Sequence, residues 1–416
     1  MSKITRKEII KDFLEINEIF KQEFPNEVIN RKYYTSHSKY GWKFETLFKD
    51  FTELKQLALK DSIQVLDKDK KIFKLTKEIS DLKEQKDYLL KEHLLEELVL
   101  DTFNKNLESF DFDKIKIDNS IDKKIYTDKI AVMNLNDWHV GEVVDGTEVL
   151  GINTFNKDIF VERADRIFNR FLTYCEKIGI TEINLNFLGD LLSGMIQDES
   201  NETADLNIVE SMFFVYSYIM NKLAWLSEHV NKIKINFLVG NHGRILKKNA
   251  KPFYKKKAIL NWEYVLGRQI ESTLKLIASE DKISINVPKS PFIVDEVNGT
   301  KFLLMHGDIL SKGGSKSFAG LPFYGFTMNA AKFWGLLSHV GTNFESTFKN
   351  VICGHYHTSD ATPIFTGGKL WVSACLCGET EFSLYEVKMK SFIEQLLLVV
   401  DNRGHIDGEI NIRGLE

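Results

Sequence analysis

The sequence predicts an α/β (α+β layered) catalytic domain preceded by a small helical domain and a long coiled-coil-like helix. Three observations predict it. Over residues 129–416, apolar runs of strand length alternate with amphipathic helical segments. Residues 63–104 carry an apolar seam at heptad spacing on an otherwise charged stretch. Residues 1–62 hold two helix-period segments around a basic, aromatic turn. Residues 105–128 are acidic and irregular, as in a linker.

In the first unit, Thr5 and Glu8 have capping-box spacing, and Ile9, Phe13, Ile16 and Phe20 then recur on one helical face. A polar aromatic stretch (Arg31, Lys32, Tyr33, Tyr34, His37, Lys39, Tyr40, Trp42) separates this helix from a second, roughly Lys43–Leu57. That layout suits a small DNA-binding module, or a helical bundle in which the tyrosines are core. Thr5-Arg6-Lys7-Glu8 and Tyr40-Gly41-Trp42 also resemble the short repeat found beside homing endonucleases, which implies DNA contact. In the long helix, Val65, Ile72 and Ile79 with Leu75, Leu82 and Leu89 take the a and d positions. A seam of this length is expected to pair two chains into a homodimer, or to pack on its own catalytic domain.

Composition bounds the class without naming a chemistry. The 416 residues carry a formal net charge of −4 and 43% hydrophobic residues, so wholesale disorder is excluded. The longest apolar runs, near Leu396–Val400 and Phe302–Met305, are far too short to span a bilayer. The start, MSKITRKEII, carries no apolar signal core, so a cytoplasmic protein with no membrane partner is expected. Cys175, Cys353, Cys375 and Cys377 lack zinc-type spacing and are expected to be free, buried thiols.

The chemistry lies where strands end. Apolar runs at Ile130–Leu135, Ile183–Phe187, Ile233–Val239, Phe302–Met305 and Asn350–Cys353 each lead into a polar cluster. The clusters are Asn136-Asp137-Trp138-His139-Val140-Gly141, Gly189-Asp190, Gly240-Asn241-His242-Gly243-Arg244, His306-Gly307-Asp308 and Gly354-His355-Tyr356-His357. Ligands of α/β sheets bind at the carboxyl ends of strands, so five such ends can meet in one crevice. Carboxylate, imidazole and amide donors together suit a pair of divalent transition metals, which two-metal sites hold roughly 3.5–4 Å apart. Half of the ten histidines (His37, His93, His229, His339 and His405) lie outside these clusters and are expected to be ordinary surface or core residues.

Asp-x-His, Gly-Asp, Gly-Asn-His, His and Gly-His-x-His in this order resemble the calcineurin-like metallophosphoesterase superfamily, over residues 129–400. The resemblance implies a β-sandwich flanked by helices, with a dinuclear centre at one edge. It implies that Asp137, His139 and His357 hold a first metal, that Asp190 bridges, and that Asn241, His306 and His355 hold the second. Manganese is the first expectation for both ions, with iron, zinc or magnesium as alternatives. His242 would protonate the leaving group or stabilise its charge, and the two metals would generate the nucleophile from water. Arg244 is a candidate phosphate clamp, because guanidinium matches phosphate geometry.

Substrate is bounded less tightly, since one fold hosts many phosphoesterases. Asp137-x-His139-x-Gly141 is similar to the branch containing DNA-repair nucleases, yet Gly243 stands where that branch commonly has Asp. The overall pattern is more similar to phage-type or mobile-element enzymes, which would act inside a bacterial host. Lys247, Lys248 and Lys251, with Phe253 and Tyr254 between further lysines, form a basic-aromatic insertion suited to a nucleic-acid backbone. Residues 311–335 read as a Gly-rich loop followed by an aromatic helix, either a lid or a partner surface. A metal-dependent DNA nuclease is therefore the first expectation. The alternative is a phosphoesterase acting on a small nucleotide or phosphoprotein, with the N-terminal region used only for oligomerisation.

Overall fold

A reciprocal cap starts the chain's first helix: Thr5 N donates to Glu8 Oε2 at 2.8 Å, and Glu8 N returns a bond to Thr5 Oγ1 at 3.4 Å. A computed structural model describes residues 4–40, 47–60, 74, 77, 115–194, 203–245, 257–310, 321–340, 347–388 and 390–415. The chain divides into two units, Met1–Leu98 and Val99–Glu416. In the first, α1 (Arg6–Glu23) buries Ile9, Phe13, Ile16 and Phe20, as the periodicity predicts. The aromatic stretch expected to be a turn contains a helix instead, α2 (Arg31–His37), capped by Asn30. Tyr34 is fully buried edge-on to Phe13, with its hydroxyl on Asp12 at 3.2 Å. It belongs to the core of this unit. The expected Lys43–Leu57 helix is interrupted as well. Residues 48–50 bend, and Asp50 Oδ1 accepts from Thr52 N and Glu53 N, capping a helical stretch at 51–60, α3. Gly41, Trp42 and the heptad residues Val65, Ile72, Leu75, Ile79, Leu82 and Leu89 lie outside the described residues.

The second unit is built on two sheets. One has the order β11-β10-β1-β2-β3-β4. Its strands are β1 (Ile130–Leu135), β2 (Glu182–Phe187), β3 (Lys232–Phe237), β4 (Ile283–Asn286), β10 (Glu394–Val400) and β11 (Ile406–Arg413). β1 to β4 run parallel, and β10 and β11 are antiparallel. The other has the order β5-β6-β7-β9-β8, from β5 (Phe292–Val297), β6 (Thr300–Met305), β7 (Asn350–Cys353), β8 (Asp360–Pro363) and β9 (Lys369–Val372).

Side-chain alternation sets four layers. Ala131, Met133 and Leu135 of β1 face a core shared with α4 (Lys157–Ile178), α5 (Ile208–Ser227) and α6 (Trp262–Ile277), whereas Val132 faces the second sheet. Phe302 and Leu304 of β6 fill the space between the sheets, with Leu398 and Val400 of β10. Leu303 and Met305 turn outward onto α7 (Phe323–Val340). The α7 helix is thus the fourth layer, with Phe326 and Ala330 buried, and not a lid. The loop expected before it falls largely on residues 311–320, outside the described residues.

One polar feature crosses the inter-sheet face. Asn134, Asn186 and Asn236 are paired in register on β1, β2 and β3 and are almost fully buried. Asn236 Nδ2 donates to Asn186 Oδ1, Asn186 Nδ2 to Asn134 Oδ1 (both 2.9 Å), and Asn134 Nδ2 to Leu396 O at 3.1 Å. This amide ladder penalises any register slip of the three strands whose ends carry the first three clusters.

Residues 115–128 carry no helix and only irregular structure, but they are held down. Asp118 N donates to Ser227 Oγ and Lys123 N to Asn231 Oδ1. The four cysteines are buried and form no disulfide. Among the described residues, no helix is long and apolar enough to cross a membrane.

The ladder predicts that Asn186→Val costs on the order of 3 kcal/mol by chemical denaturation, because two buried amides lose their partners. Converting all three asparagines to apolar residues should cost less than the sum of the single changes.

Candidate metal centre

The five clusters leave adjacent strand ends of the two sheets and meet at one edge of the sandwich. Backbone bonds continue the β1–β2 pairing into the loops: Asp137 N to Gly189 O, His139 N to Asp190 O and Val140 N to Leu191 O, all 3.0–3.1 Å. Trp138 points the other way, fully buried against Phe160 and Phe187, and so anchors the two ligand-type residues that flank it. Gly240 permits a close approach of two clusters, since a Cβ there would land on the Asp190 carboxylate.

Eight non-glycine described residues have positive φ, and five of them are sequence-predicted ligands. These are Asp137 (51°), His139 (48°), Asp190 (51°), His355 (74°) and His357 (55°). Such backbone is costly for L-residues, and its concentration here marks a site whose side-chain directions are imposed by the surrounding fold.

The donor atoms fall into two groups. Asp137 Oδ2 is used by Asn136 Nδ2 (2.6 Å) and His355 N (2.7 Å). Its other oxygen, Oδ1, is buried with no hydrogen-bond partner, 3.6 Å from His139 Nε2 and 3.4 Å from His357 Nε2. Those two nitrogens are 3.0 Å apart. Three ligand atoms bound at the usual 2.0–2.2 Å from one ion stand roughly 3.0–3.6 Å from one another, so this triad has the span of one coordination sphere. In the second group, Asp190 Oδ2 is 2.9 Å from His306 Nε2, which is 3.2 Å from His355 Nδ1. Asn241 lines the same cleft, and its Oδ1 is also buried without a partner. Asp190 connects the groups, because its carboxylate also lies within 4.8 Å of ring nitrogens of His139 and His242. Two orphaned oxygens beside convergent imidazoles fit divalent cations.

Hydrogen bonds select the tautomers. His306 Nδ1 contacts Leu188 O at 3.0 Å and His242 Nδ1 contacts Ser193 O at 2.8 Å. A carbonyl only accepts, so in each ring Nδ1 carries a proton, and Nε2 is the nitrogen open to a second proton or a metal. Arg244 Nε donates to Asn241 O at 2.9 Å and its side chain lines the cleft. Lys257, the described end of the basic insertion, is ion-paired with Asp308 at 2.5 Å. Lys247, Lys248 and Lys251, with Phe253 and Tyr254, lie outside the described residues. Of the histidines set apart by sequence, His37 stacks on Tyr33, His229 pairs with Glu176 and His405 with Asp401.

Two supports are not foreseen from sequence. Glu263, fully buried on α6, accepts from Leu191 N and Gly240 N and so ties the second cluster to the third. In sequence it looks like an ordinary acidic first-turn residue after the Asn261 cap. Burial, then the neighbouring Asp190 charge, push its carboxyl up to about 7. Gln395 accepts from Asn136 N at 2.8 Å and steadies the first cluster from β10. The α6 start also explains Gly243, where a Cβ would collide with Asn261 and Glu263, leaving no room for Asp.

Burial pushes His139 and His355 down to about 4, which keeps both neutral near pH 7, the form that ligates. Burial would lower His306 too, but Asp190 outweighs it and holds His306 up at about 10. Asp137 and Asp190 stay well below the usual carboxylate range. Burial opposes ionisation in both; contacts from His139 and His357 overcome it in Asp137, and His306 and His242 overcome it in Asp190.

No protein-family model matches the chain, and no curated protein matches it. Solved structures similar to it include a dimetal phosphatase from Danio rerio, at 10% identity, covering 69% of this chain and 99% of that one with a TM-score of 0.32. A single mutant of Vps29 from Entamoeba histolytica is similar at 10% identity, 68% and 98% coverage, and a TM-score of 0.29. A predicted phosphoesterase from Streptococcus pneumoniae is similar at 11% identity, 68% and 98% coverage, and a TM-score of 0.23. At these values the likeness carries no functional weight, which rests on the donor geometry.

The His306–Asp190 pair predicts a pH dependence. His306 has a folded pKa above its ordinary 6.5, so its stabilising contribution is complete below pH 6.5 and is lost as pH rises through about 10. With divalent metal chelated, the melting temperature should fall over that window. His306→Gln should remove most of the fall, and bound metal, which takes the proton's place, should suppress it.

Proposed function

We propose that the chain is a dinuclear-metal phosphodiesterase of the calcineurin-like metallophosphoesterase type, acting as a DNA nuclease. The observation that carries the metal-dependent part is the pair of orphaned oxygens, Asp137 Oδ1 and Asn241 Oδ1, among convergent imidazoles. Asp137, His139 and His357 would hold one ion, Asn241, His306 and His355 the other, with Asp190 between them and manganese as the first candidate. Bound there, two cations supply Lewis-acid polarisation of the phosphoryl group and an activated water.

The chain's own residues do the rest. His242 has Nδ1 on Ser193 O and its backbone N–H on Asp190 Oδ1 at 2.7 Å, so its ring is fixed beside the Asp190 carboxylate. Protonated, its Nε2–H can be given to the leaving oxygen. Arg244 presents a guanidinium to the same cleft for a non-bridging phosphate oxygen.

DNA as substrate is supported by the basic Lys247, Lys248 and Lys251 insertion next to Arg244 and by the N-terminal unit (residues 1–62) with its exposed Arg31, Lys32 and Lys39. In the same proposal, residues 63–104 pair two chains and residues 105–128 join them to the catalytic domain, 129–416.

Asp190→Ala should lose both bound metal and diester hydrolysis. His242→Ala should keep its metal, by elemental analysis, and lose about 10²- to 10⁴-fold in kcat. Equal metal loss in the two variants would contradict the role given to His242. The intact chain should bind labelled DNA with an affinity that falls steeply as salt rises. Retained diester turnover without any DNA binding would favour a small phosphoester substrate.

A further inference from the structure

The metal centre forms only one side of a cleft of about 490 Å³. That volume lies in the range of about 300–1,000 Å³ typical of small-molecule sites, and a phosphate group alone would leave most of it unused. The opposite side comes from residues 379–391, a segment that none of the five clusters includes. Phe382 and Val387 supply apolar surface there and Thr380 and Ser383 supply polar groups, while Tyr356 of the fifth cluster and Glu142 line the same cleft.

This wall is built, not incidental. Ser383–Val387 is a π-helical turn, a rare conformation that often marks functional sites. Thr380 and Ser383 cap each other: Thr380 N donates to Ser383 Oγ at 2.8 Å and Ser383 N to Thr380 Oγ1 at 3.1 Å. Phe392 N donates to His357 O at 2.8 Å, and Leu376 N to Asp137 O at 3.0 Å. Both ends of the segment are therefore fastened to the loops that carry the ligand residues. On this fixed frame Phe382 remains 51% exposed and Val387 47% exposed. These apolar side chains add little to the core and line the cleft beside the ligand-type residues, where they can cover a bound group.

We propose that this wall receives the nucleobase of the nucleoside joined to the scissile phosphate, with the base packed on Phe382 and its edge facing Thr380, Ser383 and Glu142. The chemistry matches on three counts. An aromatic face is sequence-tolerant, because every base has a π-face. The Thr380 hydroxyl can donate to base and sugar groups, and the Glu142 carboxylate and Ser383 Oγ, whose own proton goes to Thr380 O, can accept from them. Glu142 also accepts from Ser193 Oγ at 2.5 Å, and Ser193 O holds His242, so the wall and the proposed proton donor share one support. The proposal rests on the phosphodiesterase reading and names the substrate class within it.

The test uses the full manganese-loaded chain and two diesters with the same leaving group, thymidine 5′-(p-nitrophenyl phosphate) and methyl p-nitrophenyl phosphate. The wild type should prefer the nucleotidyl ester. Phe382→Ala should lower the ratio of the two kcat/KM values about 10-fold, within the range for one stacked base, and Phe382→Trp should restore it. Thymidine 5′-monophosphate should inhibit more tightly than methyl phosphate, and Phe382→Ala should erase that difference. No wild-type preference, or an equal loss on both esters, overturns the base pocket while leaving the diesterase intact. No turnover of either ester by metal-loaded protein overturns the phosphodiesterase reading and the proposal with it. A Phe382→Ala loss on a dinucleoside monophosphate as well as on a single-stranded oligomer assigns the pocket to any nucleotide; a loss on the oligomer alone assigns it to a strand.

Discussion

Asp137 and Asp190 are buried to within 1% of complete exclusion from solvent, and each remains ionised. Removing a carboxylate from water costs several kcal/mol unless countercharge and hydrogen bonds replace the lost solvent. Hydrogen bonds do so only in part. Asp137 Oδ2 accepts two, Asp190 Oδ1 accepts from His242 N, and Asp137 Oδ1 accepts none. The remaining demand is for positive charge at two places about a carboxylate apart. His306, held protonated by Asp190, meets part of it, and two divalent cations would meet the whole.

Much of the second unit can be understood as what keeps these carboxylates in place. The asparagine ladder pins β1, β2 and β3 against slippage, and a one-residue slip would turn each following cluster to the wrong face. Glu263 then ties the second loop to the third, and Gln395 holds the first. With the loops so constrained, five ligand-type residues can sit at positive φ, a conformation that would relax if the frame were soft. The same stiffness extends to residues 379–388, which are flanked by Leu376 and Phe392, whose backbone N–H groups bond to Asp137 O and His357 O. A site and its second wall are thereby positioned by one network.

The legible part of this design was the part written in local pattern. Each cluster follows an apolar run directly, so the clusters stood out from pattern, and the family resemblance of their motifs singled out Asp137, His139, Asp190, Asn241, His306, His355 and His357 as ligands. Apolar runs of strand length likewise exposed β1, β2, β3, β6 and β7. What stayed hidden depends on distant partners. Glu263 differs in no local way from a solvent-facing helix-start carboxylate, and only the arrival of Leu191 and Gly240 makes it central. β4, β5, β8 and β11 are edge strands, short or rich in polar residues, so they lack the long apolar runs that mark the central strands. In the first unit, the tyrosines at 33 and 34 look like a polar turn because their burial comes from α1, on the far side of the chain. Asp50 broke a helix that apolar spacing alone would have carried through.

The central claim is that two cations satisfy the buried carboxylates together. The most direct measurement is electron paramagnetic resonance of the manganese-loaded chain alongside its metal stoichiometry. Two ions per chain with an exchange-coupled signal are predicted, because ions sharing Asp190 would stand roughly 3.5–4 Å apart. One ion per chain, or two that give only an uncoupled signal, would contradict the account.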